Sequence, residues 1–156
     1  EKPQHLDVMR VNKRHYGLIA VGRGYDTFLM QETPRSLKRK LGFLAYLWTF
    51  LKTFLFYRSK PYKLTFDKKR IQVLAKSIMV FNLLPVPFTP IRPNDGLLNT
   101  LILTSRGRVQ SFISKTVVIK GKKELKFEVD GDVFRSKVIN IEVLPKALAI
   151  VFKRQL

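Results

Sequence analysis

No cysteine occurs anywhere in the 156 residues. Disulfides and thiolate metal sites are therefore excluded, and the composition fits a reducing compartment. Histidine is almost as scarce. His5 and His15 are the two present, both near the start of the chain and without an acidic cluster beside them, so they do not compose a zinc site. The sequence also lacks a Ser-His-Asp set and a glycine-rich phosphate loop. Gly22-Arg23-Gly24 opens like a dinucleotide fingerprint, but Tyr25-Asp26-Thr27 supplies no third glycine. No acid follows at the distance a ribose would need, which rejects that reading. The first residue is Glu1 and no signal-peptide pattern follows, so the expectation is a piece of a longer protein.

Acidic residues are the other shortage. Eleven Asp and Glu face thirty Lys and Arg, a net charge of +19. Such a balance speaks of partners rather than fold and points to a polyanion: an anionic membrane, nucleic acid or a phosphorylated small molecule. A merely solvated basic surface is the plain alternative. What is abundant is apolar: 46% hydrophobic and 12% aromatic residues, enough for one well-packed domain over residues 1–156 and too much for a disordered chain.

The local patterns predict a mainly β (α+β) fold, an antiparallel β-sandwich with a helical insertion near residues 25–57. Strands are expected at 5–11 and 15–21, with a turn at Gly22-Arg23-Gly24. A short helix is expected over 25–31. Thr33 then suits an N-cap and Pro34 the first position of a second helix. Its first turn carries Arg35, Lys38, Arg39 and Lys40, which oppose the helix dipole and favour an external anion. Leu41 to Tyr57 is nearly all apolar, with Thr49, Lys52 and Thr53 as its polar stripe. That stretch could pack on its own domain, lie at a membrane interface between basic flanks, or span a bilayer; it is short for the last, and Lys52 sits inside it.

From residue 61 the period is that of strands. Tyr62, Leu64 and Phe66 alternate with polar residues, Asp67-Lys68-Lys69 reads as a turn, and residues 70–82 form a long strand. A proline-rich loop fills 83–96. Further strands are expected at 97–104, 116–120, 125–129, 133–143 and 148–152, with 106–109 leading almost directly into the next strand.

Within so basic a chain a small group of acidic residues read as lying in turns supplies the candidates for chemistry: Asp7, Asp26, Asp95, Asp130 and Asp132. Asp130-Gly131 between alternating runs is a strong hairpin signal, and Asp95 can bond its own backbone in a turn, so turn-only roles are a full alternative.

Together, Leu6-Asp7-Val8-Met9-Arg10-Val11-Asn12, Gly22-Arg23-Gly24-Tyr25-Asp26, Thr33-Pro34-Arg35-Ser36-Leu37-Lys38, Asn94-Asp95-Gly96-Leu97-Leu98, Val129-Asp130-Gly131-Asp132 and Val143-Leu144-Pro145-Lys146 resemble, in order, the C-terminal half of the diacylglycerol kinase catalytic family, the bacterial lipid kinases related to sphingosine and ceramide kinases. The resemblance implies an ATP-dependent kinase acting on a diacylglycerol-like or sphingoid hydroxyl. It implies that Asp95 holds Mg²⁺ with the backbone carbonyls of Arg92 and Leu97, that Asp132 is the base, and that Asp7 faces the nucleotide-binding domain. Asp132 is one methylene shorter than the family's glutamate. The Gly-Gly-Asp-Gly-Thr nucleotide loop lies outside this sequence, so ATP is expected to be bound mainly by an N-terminal domain supplied in cis or trans, and the isolated chain is expected to be inactive. The implied setting is cytoplasmic and peripheral at the inner membrane face, with anionic membrane lipids and a lipid substrate as partners. The alternative is a non-catalytic basic module for anionic membrane or nucleic acid. Phe50, Phe54, Phe56 and Tyr57 could stack bases, but they stand in one apolar run, which suits lipid better.

Overall fold

The computed structural model describes residues 3–24, 58–83, 92 and 94–151. Among them every regular element is a strand: β1 (Gln4–Val11), β2 (His15–Gly17), β3 (Ala20–Gly24), β4 (Lys60–Phe66), β5 (Lys69–Phe81), β6 (Leu98–Thr104), β7 (Val109–Ser114), β8 (Thr116–Val129) and β9 (Asp132–Ile150). Alternation sets the faces. In β4, Tyr62, Leu64 and Phe66 are buried while Pro61 and Lys63 are exposed, and Val117 and Ile119 of β8 and Ile139 and Ile141 of β9 join the same core. Fully burying an aliphatic or aromatic side chain of this size contributes about 1.5–3 kcal/mol, which fixes the register of each strand.

The fold is mainly β, as the patterns predict, but the strands form one nine-stranded sheet rather than two separately stacked ones. Its order is β2-β1-β9-β8-β3-β5-β6-β7, and β4 pairs with β5 and β8, the same two neighbours as β3; the sheet coils in a barrel-like way with β2 and β7 at its two ends. All pairings are antiparallel. The long strands explain the coiling. β8 and β9 run 14 and 19 residues and coil across the whole sheet by passing through bulges instead of ending. The expected breaks at 121–124 and 144–147 are such bulges: the β8–β9 register shifts between Lys120 and Leu125, and β9 carries extra residues opposite the step from Leu6 to Val8. Pro145 lies in this second bulge, where a strand tolerates the missing N–H.

One expectation is corrected, and one strand is added. Gly22-Arg23-Gly24 is not a turn but the second half of β3, paired with Met79, Ile78 and Ser77 of β5. Gly24 has φ 118°, and a Cβ there would collide with the carbonyl oxygen of Lys76, so the glycine answers a close strand contact. Residues 109–114, which the expected strands leave unassigned, form β7. Its outward residues are polar or singly apolar and it lies at the sheet's edge, so no alternating signal marks it.

β3 and β4 occupy one track. Both lie between β5 and β8, and both run antiparallel to them. Gly24 pairs with Ser77, whereas Lys60 pairs with Ala75, so the chain leaves the track at one point and rejoins it two residues along β5. The β5–β6 ladder shifts register between Ala75 and Ser77 at that same point. Residues 25–59 are thus inserted into what is geometrically a single strand. The helices expected within 25–57 lie outside the described residues.

Candidate functional site

Asp7 stands on the core-facing side of β1 and is fully buried. Its oxygens are taken by two distant backbone amides: Gly96 N–H donates to Oδ2 at 2.7 Å and Lys146 N–H to Oδ1 at 2.7 Å. A carboxylate so far from water is tolerated because these charge-assisted bonds replace hydration. Both donors sit in left-handed backbone, Gly96 at φ 70° and Lys146 at φ 53°. Asp7 therefore clamps the 94–97 loop onto the β9 bulge. The expectation that Asp7 faces a nucleotide domain stands beside this placement: no part of its side chain reaches the surface of the described residues.

Asn82, at the end of β5, extends the network. It is buried, and its amide Nδ2 donates to the carbonyls of Asp7 (2.8 Å) and Leu18 (3.1 Å), while its buried Oδ1 accepts no hydrogen bond among the described residues. Leu18 begins the next link. The N–H groups of Leu18, Ile19 and Ala20 all donate to the Asp130 carboxylate, at 2.6, 2.9 and 2.9 Å. Three successive amides around one carboxylate make an anion nest. Asp130 and Gly131, at φ 48° and 98°, form the two-residue turn that joins β8 to β9, the left-handed pair a type I′ hairpin requires. The turn reading of Asp130 is thus fulfilled, and the residue also anchors the β2–β3 connection.

The two acids expected to do chemistry flank this network. Asp95 is exposed; its Oδ1 accepts the Leu97 N–H at 3.0 Å, a local turn bond, and its Oδ2 accepts none among the described residues. Asp132 opens β9 opposite Val129, exposed and without a side-chain hydrogen bond among the described residues. A continuous path, Gly96–Asp7–Asn82–Leu18–Asp130, ties the loop bearing Asp95 to the hairpin bearing Asp132. Arg92 is exposed and Leu97 half-buried. Arg35, Lys38, Arg39 and Lys40 lie outside the described residues. Among the described residues no group of three or more His, Asp and Glu side chains converges as a metal site, so a cation at Asp95 would rely on backbone carbonyls and water. Nor is any helix there long and apolar enough to cross a membrane.

Sequence reasoning missed Asn82 and Asp67. Asp67, at φ 48° in the β4–β5 turn, accepts from Lys115 N–H (3.1 Å) and from the N–H and hydroxyl of Thr116 (2.9 and 3.0 Å). Partial burial pushes its pKa up, but the bonds from Thr116 and Lys115 outweigh it and hold the carboxyl below its usual range. Glu142 is lowered as well, chiefly by its 2.8 Å bond to Arg10. The polar character of Asn82 directly after the apolar strand residues Val80 and Phe81 was the one available signal.

No protein-family model matches the chain. It is similar to a protein of Staphylococcus haemolyticus named "putative lipid kinase", 26% identical over 179 residues that cover 96% of this chain and 58% of that protein. A Staphylococcus aureus protein of the same name is 23% identical, covering 93% and 56%. Among solved structures, one described as a "putative diacylglycerol kinase" from Bacillus anthracis superposes with a TM-score of 0.77 at 20% identity, covering 97% of this chain and 58% of that one. Another of that description gives 0.76 at 19% identity. The chain therefore has the fold of one part of those proteins and spans a little over half the length of the curated relatives it matches. Over nearly its whole length it is similar to proteins of the lipid kinase, diacylglycerol kinase catalytic, family.

Proposed function

We propose that this chain is the C-terminal, substrate-binding domain of an ATP-dependent lipid kinase that phosphorylates a diacylglycerol-like or sphingoid hydroxyl. The observation that carries the reading is the placement of two exposed acids, Asp95 and Asp132, on loops locked to one another through Asp7, Asn82 and Asp130. Turn acids need no such rigid coupling, whereas reacting groups must be held to within a fraction of an ångström.

In this reading Asp132 accepts the proton of the lipid hydroxyl as that oxygen attacks the γ-phosphorus of ATP, and ADP leaves. Its exposure lets a substrate reach it, and its position at a hairpin tip pinned by Asp130 compensates for a short side chain. ATP is held mainly by an N-terminal nucleotide-binding domain. The free Oδ2 of Asp95 fits a hard divalent cation, which takes few protein oxygens together with water; Asp95 with the carbonyls of Arg92 and Leu97 would hold Mg²⁺, which supplies charge neutralisation and rigidity when bound. Asp7 serves by fixing the loop on which that site stands. The protein works in the cytoplasm at the inner membrane face, where its basic surface meets anionic lipid.

The test joins the chain to a nucleotide-binding domain of a lipid-kinase relative and follows ATP-dependent phosphorylation of diacylglycerol. Asp132→Asn is expected to leave the circular dichroism spectrum unchanged and to lower turnover by about 10²–10⁴-fold, the range for losing a general base. Asp132→Glu should match or exceed the parent. Full activity of Asp132→Asn would refute the base role.

A further inference from the structure

The lower halves of β4, β5 and β8 turn one face to the core and the other outward. Leu64, Ile119 and Ile139 point in; Lys63, Arg70, Lys120 and Lys122 are exposed. Register places the outward residues in rows. Gln72, Lys63, Lys120 and Val138 lie side by side across four strands, and Arg70, Thr65, Val118 and Asn140 form the row next to them. Two adjoining shallow concavities of about 820 and 610 Å³ lie over these rows and share Lys63, Gln72 and Lys120.

Lys63 and Lys120 are direct register partners. Like charges directly opposite in an antiparallel pair repel and destabilise the sheet. Arg70 stands diagonally to Lys63, one step from its partner Gln72. No acidic residue lines either concavity, and none of the four cations has an ion-pair partner among the described residues; the ion pair found there is Arg10–Glu142. The face thus concentrates positive charge where the fold gains nothing from it, which calls for an external anion.

The chemistry of the face selects among anions. Backbone amides of β4 and β8 are spent in the ladders, so a small free phosphate would find only flexible side chains and no built pocket. No aromatic side chain stands in the outward rows to stack a base. Aliphatic groups do: Leu74 is 48% exposed, and Val118 and Val138 are half-buried between the cations. Cations interleaved with short aliphatic groups on a broad sheet face match a phospholipid surface, where headgroup phosphates meet the charges and the aliphatic tips reach the interface.

We infer that the outward face of β4, β5 and β8, centred on Lys63 and Lys120, is a docking surface for an anionic phospholipid bilayer. It rests on the lipid-kinase reading and deepens it without depending on turnover. The experiment measures co-sedimentation of the 156-residue chain with phosphatidylglycerol/phosphatidylcholine vesicles against phosphatidylcholine alone, for the parent, for K63Q/R70Q/K120Q/K122Q and for R35Q/K38Q/R39Q/K40Q. At about fivefold per charge near an anionic surface, the sheet variant should bind anionic vesicles about 10²–10³-fold more weakly. Relief of the Lys63–Lys120 repulsion should leave its Tm unchanged or raised. Should the quadruple variant fail to fold, acetylation footprinting of the parent replaces it: Lys63, Lys120 and Lys122 become protected on anionic vesicles. Undiminished vesicle binding by the sheet variant, unprotected lysines, or a sheet variant that loses only its affinity for single-stranded DNA overturns the inference. None of these outcomes touches the kinase reading, which rests on Asp132.

Discussion

Asp7→Ala tests the buried clamp most directly. The substitution removes the acceptor of two buried amides, Gly96 N–H and Lys146 N–H, each held at 2.7 Å. A buried donor left without a partner costs about 1–3 kcal/mol, and bonds to a carboxylate are roughly twice as strong as neutral ones. Two such losses come to about 3–6 kcal/mol, set against a typical total stability of about 5–15 kcal/mol. At about 2–4 °C per kcal/mol for a chain of this size, Tm should fall by about 6–24 °C. Asp7→Asn should fall between parent and alanine, because its amide keeps one acceptor but turns a donor toward one of the two N–H groups. The assay is urea unfolding together with amide hydrogen exchange. Exchange at Gly96 and Lys146 should accelerate well before that at Met9, whose backbone stays in the β1–β9 ladder. A change in stability below about 0.5 kcal/mol, the size expected for an inconsequential substitution, would refute the clamp, as would unaltered exchange at Gly96.

Asp130→Ala should cost about 1–2 kcal/mol, less than Asp7→Ala, because its three amide partners belong to a part-exposed loop that water can reach; in the joined kinase it should also lower turnover by loosening the Asp132 hairpin, and an unchanged rate would show that the nest is structural alone. Acid unfolding supplies the remaining check. Asp67 and Glu142 have folded pKa values below their ordinary ones, so their stabilisation is complete above an unfolded pKa of about 4 and disappears as pH falls through the folded values. Asp67→Asn should therefore flatten the acid limb of stability against pH below about 4 and leave the slope near neutrality unaltered.

Much of the sheet was legible because its signal is local. The alternation of Tyr62, Leu64 and Phe66, the turn at Asp67 and the hairpin at Asp130-Gly131 each need only neighbouring residues to be read. What was not legible depends on partners far along the chain. Gly22-Arg23-Gly24 reads as a turn by composition, and only the close approach of Lys76 makes it a strand. β7 has an edge position and no alternating stripe. Asp7 is 89 residues from Gly96 and 139 from Lys146, so nothing beside it in sequence announces that its carboxylate faces inward. Asn82 bridges carbonyls 75 and 64 residues away. The resemblance pointed to the acids, but the bonds that hold their loops together are properties of the folded sheet.

β5 orders these features along one strand. Phe81 and Asn82 mark the acid-bearing end, where Ala20 pairs and Asp130 reaches across. Ser77 and Ala75 flank the bulge where residues 25–59 leave and rejoin the β3–β4 track. Gln72 and Arg70 belong to the cationic rows. At about 3.3 Å per residue, the span from Phe81 to Gln72 is about 30 Å, several Debye lengths at physiological salt. Lysines at one end therefore do little to the electrostatics of Asp132 at the other, and substitutions at the two ends should act independently because they share no partner. The bulge at Lys76 also reverses which side of β5 faces the core: Ala75 is buried on one parity and Ile78 and Val80 on the other. The outward face of the cationic half is consequently not continuous with the same-parity face at the acid end.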